Sequence, residues 1–352
     1  MRKASIALIF IVLAVLTVSP VHGDRGLIPV SPDVSVYEPG QKAIIAWNGQ
    51  DEILILSTDV TSSKQTLVLE LLPLPSEPKV ESASFQSFVE IQRLIWDEGA
   101  ASYGRTLNEA KAASLEIVFN EKIGAHDITV VKATDTTELV DWMKNFLQAN
   151  SITENVSLGE FEPAVEDYMG RGFRYYVLDL VTVTPEERTV DPILFHFETS
   201  FLYYPLLITS PVPGETKLTL FLLTNGKVEN DYFPMEKALY QFTEGFKPIE
   251  FVLSKGELSK IDLRIGELFT DMAWLTALKY DGSLSWFTND LMIAQDALEP
   301  AESVDVNVEV TVPATLIGLS IVLGAACTLA GVIGSALITR PKKETAKTIG
   351  TR

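Results

Sequence analysis

Cysteine is all but absent from this chain: Cys327 stands alone among 352 residues. No disulfide can close within it, so an exported fold would rest on its packed core. Histidine is nearly as scarce, with three in all. A zinc centre needs three or four converging ligands, and here it would have to combine His126 and His196 with carboxylates. The sequence also lacks a G-x-S-x-G elbow, a G-x-G-x-x-G or phosphate loop, and a D-x-D-x-D-G calcium loop. These absences leave no catalytic residue, no cofactor-binding residue and no metal ligand to nominate. Positive charge is short as well. Against 47 Asp and Glu stand 28 Lys and Arg, a net charge of −19, so the overall field repels nucleic acid.

Charge of either sign is missing from one long stretch. Between Glu309 and Arg340 nothing ionisable occurs. A helix needs roughly 20 apolar residues to cross a ~30 Å hydrocarbon layer, and Val312–Ile338 supplies them. Twelve of these residues are Leu, Ile or Val, together favouring insertion by about 4 to 7 kcal/mol. Arg340, Lys342, Lys343, Lys347 and Arg352 follow, against the single acid Glu344. Basic flanks stay in the cytoplasm, so everything before the span is expected outside. Ala326, Ala330 and Gly334 recur every four residues, a spacing at which small side chains let two helices approach closely and a homo-oligomer form.

The amino terminus agrees. Arg2 and Lys3 precede an apolar run from Ala4 to Val18, with Val21 and Gly23 at the small-residue positions of a cleavage site. The run is short for a span and reads as a removed leader. The expected product is a type I single-pass protein of the cell membrane. It divides into a signal peptide at 1–23, an exported domain at 24–298 with a subdomain break near 150, an acidic stalk or last strand at 299–311, a transmembrane helix at 312–338 and a basic tail at 339–352. The exported part carries about −25, with its acids spread along the chain. Asn155-Val-Ser157 matches the glycosylation acceptor pattern.

The exported part is rich in strand signals. QKAIIAW and EILILST flank Asn48-Gly49, a hairpin turn. TLVLELL is expected to stop at Pro73, before an irregular LPLPSEPKVE. Phe85, Phe88, Val89, Leu94 and Ile95 suggest a helix after Ser84. SLEIVFNEKIGAHDITVVKA reads as two strands. Asp135 and Glu138 open a capped helix with Leu139, Trp142, Met143 and Phe146 on one face. FRYYVLDLVTV, ILFHFET, LLITS and KLTLFLLT read as strands, with turns expected at Asn225-Gly226 and Asp281-Gly282. KIDLRIGELF reads as helical. The fold class is α+β, a strand-rich ectodomain with a few helices plus one C-terminal transmembrane helix. Residues 299–310 stay open between a stalk and a half-buried strand, because Val304, Val306, Val308 and Val310 alternate with polar residues.

In GQKAIIAW, LELLPLPSEPKV with SFQSF after it, EKIGAHDITVVKATDTTELVDWMKNF, FHFETSFLYYPLLITS and TNDLMIAQDA, the chain resembles the family known as domain of unknown function 2330. These pieces span roughly 25–298. The resemblance implies an exported, membrane-tethered domain and no activity, so no functional residue is carried over. Asp141 and Asp290 are acids within these pieces and read as caps or rim charges. Phe201, Tyr203 and Tyr204 read as core. The expectation is a non-enzymatic cell-surface domain that binds an extracellular protein, an envelope component or a solute. The alternative is an envelope hydrolase with a carboxylate-lined cleft.

Overall fold

A computed structural model describes residues 26–31, 34, 36–102, 128–152, 156, 158–212, 214–229, 231–242 and 245–300. The leader, His126, Asn155, Cys327, Ala326, Ala330, Gly334 and the whole 312–338 span lie outside the described residues. No helix among the described residues is long and apolar enough to cross a membrane.

The Asn48-Gly49 turn closes the first hairpin. Gly49 sits at φ +100°, and the Asn48 side-chain oxygen accepts from the N–H groups of Gln50 and Asp51 at 2.9 and 2.8 Å. The turn sets Val36–Trp47 antiparallel to Asp51–Ser62. Both strands read as near-continuous apolar runs because both of their faces are covered. Ala43, Ile45, Trp47, Leu54 and Leu56 belong to one core cluster, and Ile44, Ala46, Ile53 and Ile55 to another.

Around this hairpin grows a nine-stranded sheet. Its main path runs Glu236–Lys237, Met272–Ser283, Glu215–Thr224, Val36–Trp47, Asp51–Ser62, Ile193–Glu198 and Lys79–Ser82. Val36–Trp47 pairs in parallel with Glu215–Thr224; the other pairings are antiparallel. One face is covered by the helices Phe85–Ser102, Lys255–Ile261 and Leu263–Leu268, through Phe88, Ile91, Leu258, Ile261 and Ile265. The other face shares a core with a second, antiparallel sheet of Gly26–Pro29, Thr66–Leu74, Tyr175–Val183 and Ile128–Lys132. The helices Thr136–Ala149 and Glu162–Gly170 pack into that core through Leu139, Met143, Val165 and Tyr168. Asp135 caps the first of these by accepting from the Glu138 N–H. The described part is thus mixed α+β and strand-rich, with five α-helices.

Several local expectations are corrected. Thr66–Leu74 continues through Pro73, because the neighbour Gly26–Pro29 ends its pairing at Leu71 and no ladder donor is missing beyond it. Lys79–Ser82, expected to be irregular, is an edge strand against Ile193–Glu198. Asn225-Gly226 joins no hairpin: Glu215–Thr224 stays in the large sheet, while Gly226–Val228 pairs with Leu298–Pro300. The opening of the 299–311 segment is therefore strand, and the rest of it lies outside the described residues. Asp281-Gly282 is no turn, since both residues lie inside Met272–Ser283, opposite Lys217 and Thr216. LLITS forms a short 3-10 helix, Leu207–Thr209, in place of a strand.

Candidate functional site

The cause of that 3-10 helix is Asp290. Its carboxylate oxygen Oδ1 accepts from the backbone N–H groups of Leu206 and Leu207 at 2.8 and 2.9 Å, which holds the chain where a strand would have run on. The same oxygen accepts from the Tyr168 hydroxyl at 2.7 Å. Oδ2 lies 2.7 Å from the Arg171 guanidinium, at an angle that makes this a charge contact and not an aligned hydrogen bond. The Asp290 side chain is fully buried. The expectation of a rim charge is corrected; as a cap it serves a helix start far away in sequence.

Arg171 completes the knot from the end of the helix Glu162–Gly170. Its guanidinium stacks 4.5 Å over the Tyr168 ring and 5.0 Å from that of Phe173, and it reaches Asp167 at 2.7 Å. The Tyr168 hydroxyl also accepts from the Ile208 N–H at 3.2 Å. Phe173 links the rings of Tyr168 and Tyr203, at 5.4 and 5.2 Å. Burial, then the Asp290 charge, pushes the pKa of both tyrosine hydroxyls well above the usual range, so both stay protonated. Tyr203 and Tyr204 are fully buried and Phe201 half-buried. The Tyr203 hydroxyl donates to the Pro73 carbonyl at 3.1 Å, and its backbone N–H donates to Glu52 Oε2 at 2.7 Å. Glu52 is buried without an ion-pair partner among the described residues, and burial raises its pKa well above the carboxylate range.

These groups position; they do not converge on a reactant. His196 stands apart in the strand Ile193–Glu198, half-exposed, 3.6 Å from Asp51. Asp141 is exposed and lies 3.6 Å from Lys144. Among the described residues no group of three or more His, Cys, Asp or Glu could hold a metal ion. The structure brings Asp290 and Tyr203 together through Tyr168 and Phe173, and leaves His196 and Asp141 out.

What the knot does hold is the loop that precedes Asp290. Trp286 lies four residues earlier, 56% exposed, and its ring meets Phe233, 79% exposed, edge to face at 5.7 Å and 76°. An exposed pair of large aromatic side chains forms a contiguous apolar patch, the kind of surface feature that marks binding sites. Sequence reading missed both rings, along with Tyr168, Arg171 and Glu52. The one signal for Trp286 was its place between hydroxyl residues in SLSWFTN.

The fold and this arrangement define a mixed α+β domain with a buried polar knot behind an exposed aromatic pair. The family described as "Uncharacterized protein conserved in bacteria (DUF2330)" matches residues 23–250, and the chain belongs to it. No curated protein matches the chain. Among solved structures, the crystal structure of baculovirus P35 is similar at 10% identity, over 75% of this chain and 97% of that one, with a TM-score of 0.42. A mutated baculovirus P35 after caspase cleavage is similar at 9% identity, over 72% of this chain and 99% of that one, with a TM-score of 0.33. Both likenesses are distant.

Proposed function

We propose that this protein is a non-enzymatic binding domain of the cell surface. The 1–23 leader directs its export, the 312–338 helix tethers it, and the 339–352 tail remains in the cytoplasm. Anchoring confines the domain to the membrane face, so weak contacts with an envelope component, an extracellular protein or a solute become effectively intramolecular. The observation that supports binding over hydrolysis is the exposed Phe233–Trp286 pair, set against acids that serve the fold. Asp290 is engaged by Tyr168, Arg171 and two backbone N–H groups, while His196 lies against Asp51.

The test is made on intact cells. Added protease is expected to remove the 24–298 domain while the 339–352 tail stays protected, and crosslinking is expected to recover a second component with the domain. A domain spared by protease, or a crosslinked product containing this chain alone, overturns the proposal.

A further inference from the structure

The segment Ser283–Asn289 carries no ionisable residue, within an exported portion of about −25 net charge. Its pattern turns Trp286 outward. Leu284 and Phe287 are fully buried, Phe287 lies 4.7 Å from the Tyr280 ring, and the single 3-10 turn Leu284–Trp286 leaves Ser285 and Trp286 in solvent. Phe233 is set in the same way. Tyr232 packs against the core, Met235 is buried, and the Met235 N–H donates to the Tyr232 carbonyl at 2.8 Å. Each exposed ring is therefore held by buried neighbours, so a ligand meets a preformed surface and little ordering cost opposes binding.

In an edge-to-face pair at most one ring face is covered by the other ring. The remaining faces carry partial negative charge and attract weakly positive C–H groups. Neutral hydrogen-bonding side chains flank Trp286 along the chain. The Ser283 and Ser285 hydroxyls lie 2.9 Å apart, and the exposed Asn289 amide donates to the exposed Thr288 hydroxyl at 3.2 Å. An exposed aromatic pair with neutral hydroxyl and amide side chains in the same segment matches a pyranose, whose ring face is C–H and whose rim is hydroxyl. Other occupants fit less well. An anionic lipid surface calls for basic residues, but Lys279 is engaged by Glu236 at 2.9 Å, while Asp231 and Asp281 are exposed. At 56% and 79% exposure the two aromatic side chains offer about 200–350 Å², short of the ~800 Å² per partner of a stable protein interface.

We infer that Trp286 and Phe233 form a stacking platform for the ring face of an uncharged hexose polymer. This rests on the binding reading above and names its ligand class.

The experiment uses the purified full-length chain in a detergent without a sugar headgroup. It is titrated with chitohexaose, cellohexaose and mannohexaose, followed by tryptophan fluorescence and by saturation transfer to the sugar C–H protons. At least one neutral oligomer is expected to bind, more tightly than oligogalacturonate. Trp286→Ala is expected to weaken that binding about ten-fold or more. Phe233→Ala should weaken it less, and Leu263→Ala, which alters an exposed apolar side chain outside the platform, should leave it unchanged. Absence of binding by every neutral oligomer overturns the inference, as does binding that survives both aromatic replacements in variants with unchanged circular dichroism. Loss of self-association in Trp286→Ala, without sugar binding by the parent chain, overturns it in favour of a contact between copies. If cell crosslinking captures a protein in a Trp286-dependent way while no sugar binds, the ligand class falls and the binding reading stands. If neither sugar nor captured component is found, both fall.

Discussion

Replacing Asp290 by alanine tests the knot most directly. Three donors and one cation converge on one fully buried carboxylate: the Leu206 and Leu207 N–H groups, the Tyr168 hydroxyl and, by charge, the Arg171 guanidinium. Alanine leaves the first three without an acceptor, and a buried unsatisfied donor costs about 1–3 kcal/mol. The guanidinium is 29% exposed, so water takes over part of its charge and its share is smaller than that of a fully buried pair. The expected loss is about 4 kcal/mol, a large part of the 5–15 kcal/mol that holds a typical domain. Arg171→Met should cost less, about 1–3 kcal/mol, because Asp290 keeps three hydrogen bonds and the aliphatic chain still covers Tyr168. Urea unfolding of the full-length chain, followed by tryptophan fluorescence, measures both losses. The double variant should lose clearly less than the sum, since the two side chains share one contact. A loss below about 1 kcal/mol for Asp290→Ala, or strict additivity with Arg171→Met, would show that the carboxylate is a passenger in the core.

Glu52 gives a prediction in pH. Its native pKa is raised by burial, so the folded state holds a proton that the unfolded chain gives up near its ordinary value. Below that value both states are protonated and nothing is lost. As pH rises above it, the unfolded state ionises while the native state cannot, and stability falls until the native pKa is reached. Glu52→Gln keeps an acceptor for the Tyr203 N–H and removes the titration. Its melting temperature should match wild type near about pH 4 and exceed it increasingly toward about pH 8, by the equivalent of order 1 kcal/mol or more; equal slopes for the two proteins refute the assignment. Gly226→Ala tests the last described strand. A Cβ at that position runs into the Glu299 backbone carbonyl, which cannot swing aside as a side chain would. The variant should release Leu298–Pro300 from Gly226–Val228, seen as faster amide exchange and protease cleavage at 298–300, with the large sheet unchanged.

What the sequence made legible was local. Asn48-Gly49 carries its own turn chemistry in a side-chain oxygen and a positive φ. Asp135 and Glu138 mark a helix start four residues before the buried Leu139. AIIAW and ILIL announce strands buried on both faces. What escaped depends on partners distant in the chain. LLITS has a strand's composition, yet a carboxylate 83 and 84 positions away captures its first N–H groups and winds it into a 3-10 turn. Asp281-Gly282 has a turn's composition, yet it pairs with Lys217 and Thr216 inside a twelve-residue strand. Glu52 looks like a polar strand end beside a turn and is wholly buried. In each case tertiary pairing overrode a weak local preference. The exposed aromatic pair was equally hidden, because Phe233 and Trp286 meet only after two separate turns bring them side by side.

The knot also answers a question set by the missing cysteines. A disulfide limits the freedom of an unfolded chain by tying residues far apart in sequence, and this chain has no second thiol to do so. Asp290 ties the same kind of span by other means. Through one side chain it joins residue 168, 122 positions back, and residues 206 and 207, 84 and 83 positions back. Because the Asp290 side chain, Tyr168 and Leu206 are buried and Leu207 is partly so, the knot resists exchange with water as surface ion pairs do not. It differs from a disulfide in one consequence: it forms only when the helix Glu162–Gly170, the 3-10 turn and the 287–290 segment are all in place. Trp286 sits directly before that segment, so the geometry of the exposed pair depends on closure of the knot. A change that loosens Asp290 should therefore weaken ligand binding at Trp286 before it unfolds the sheets.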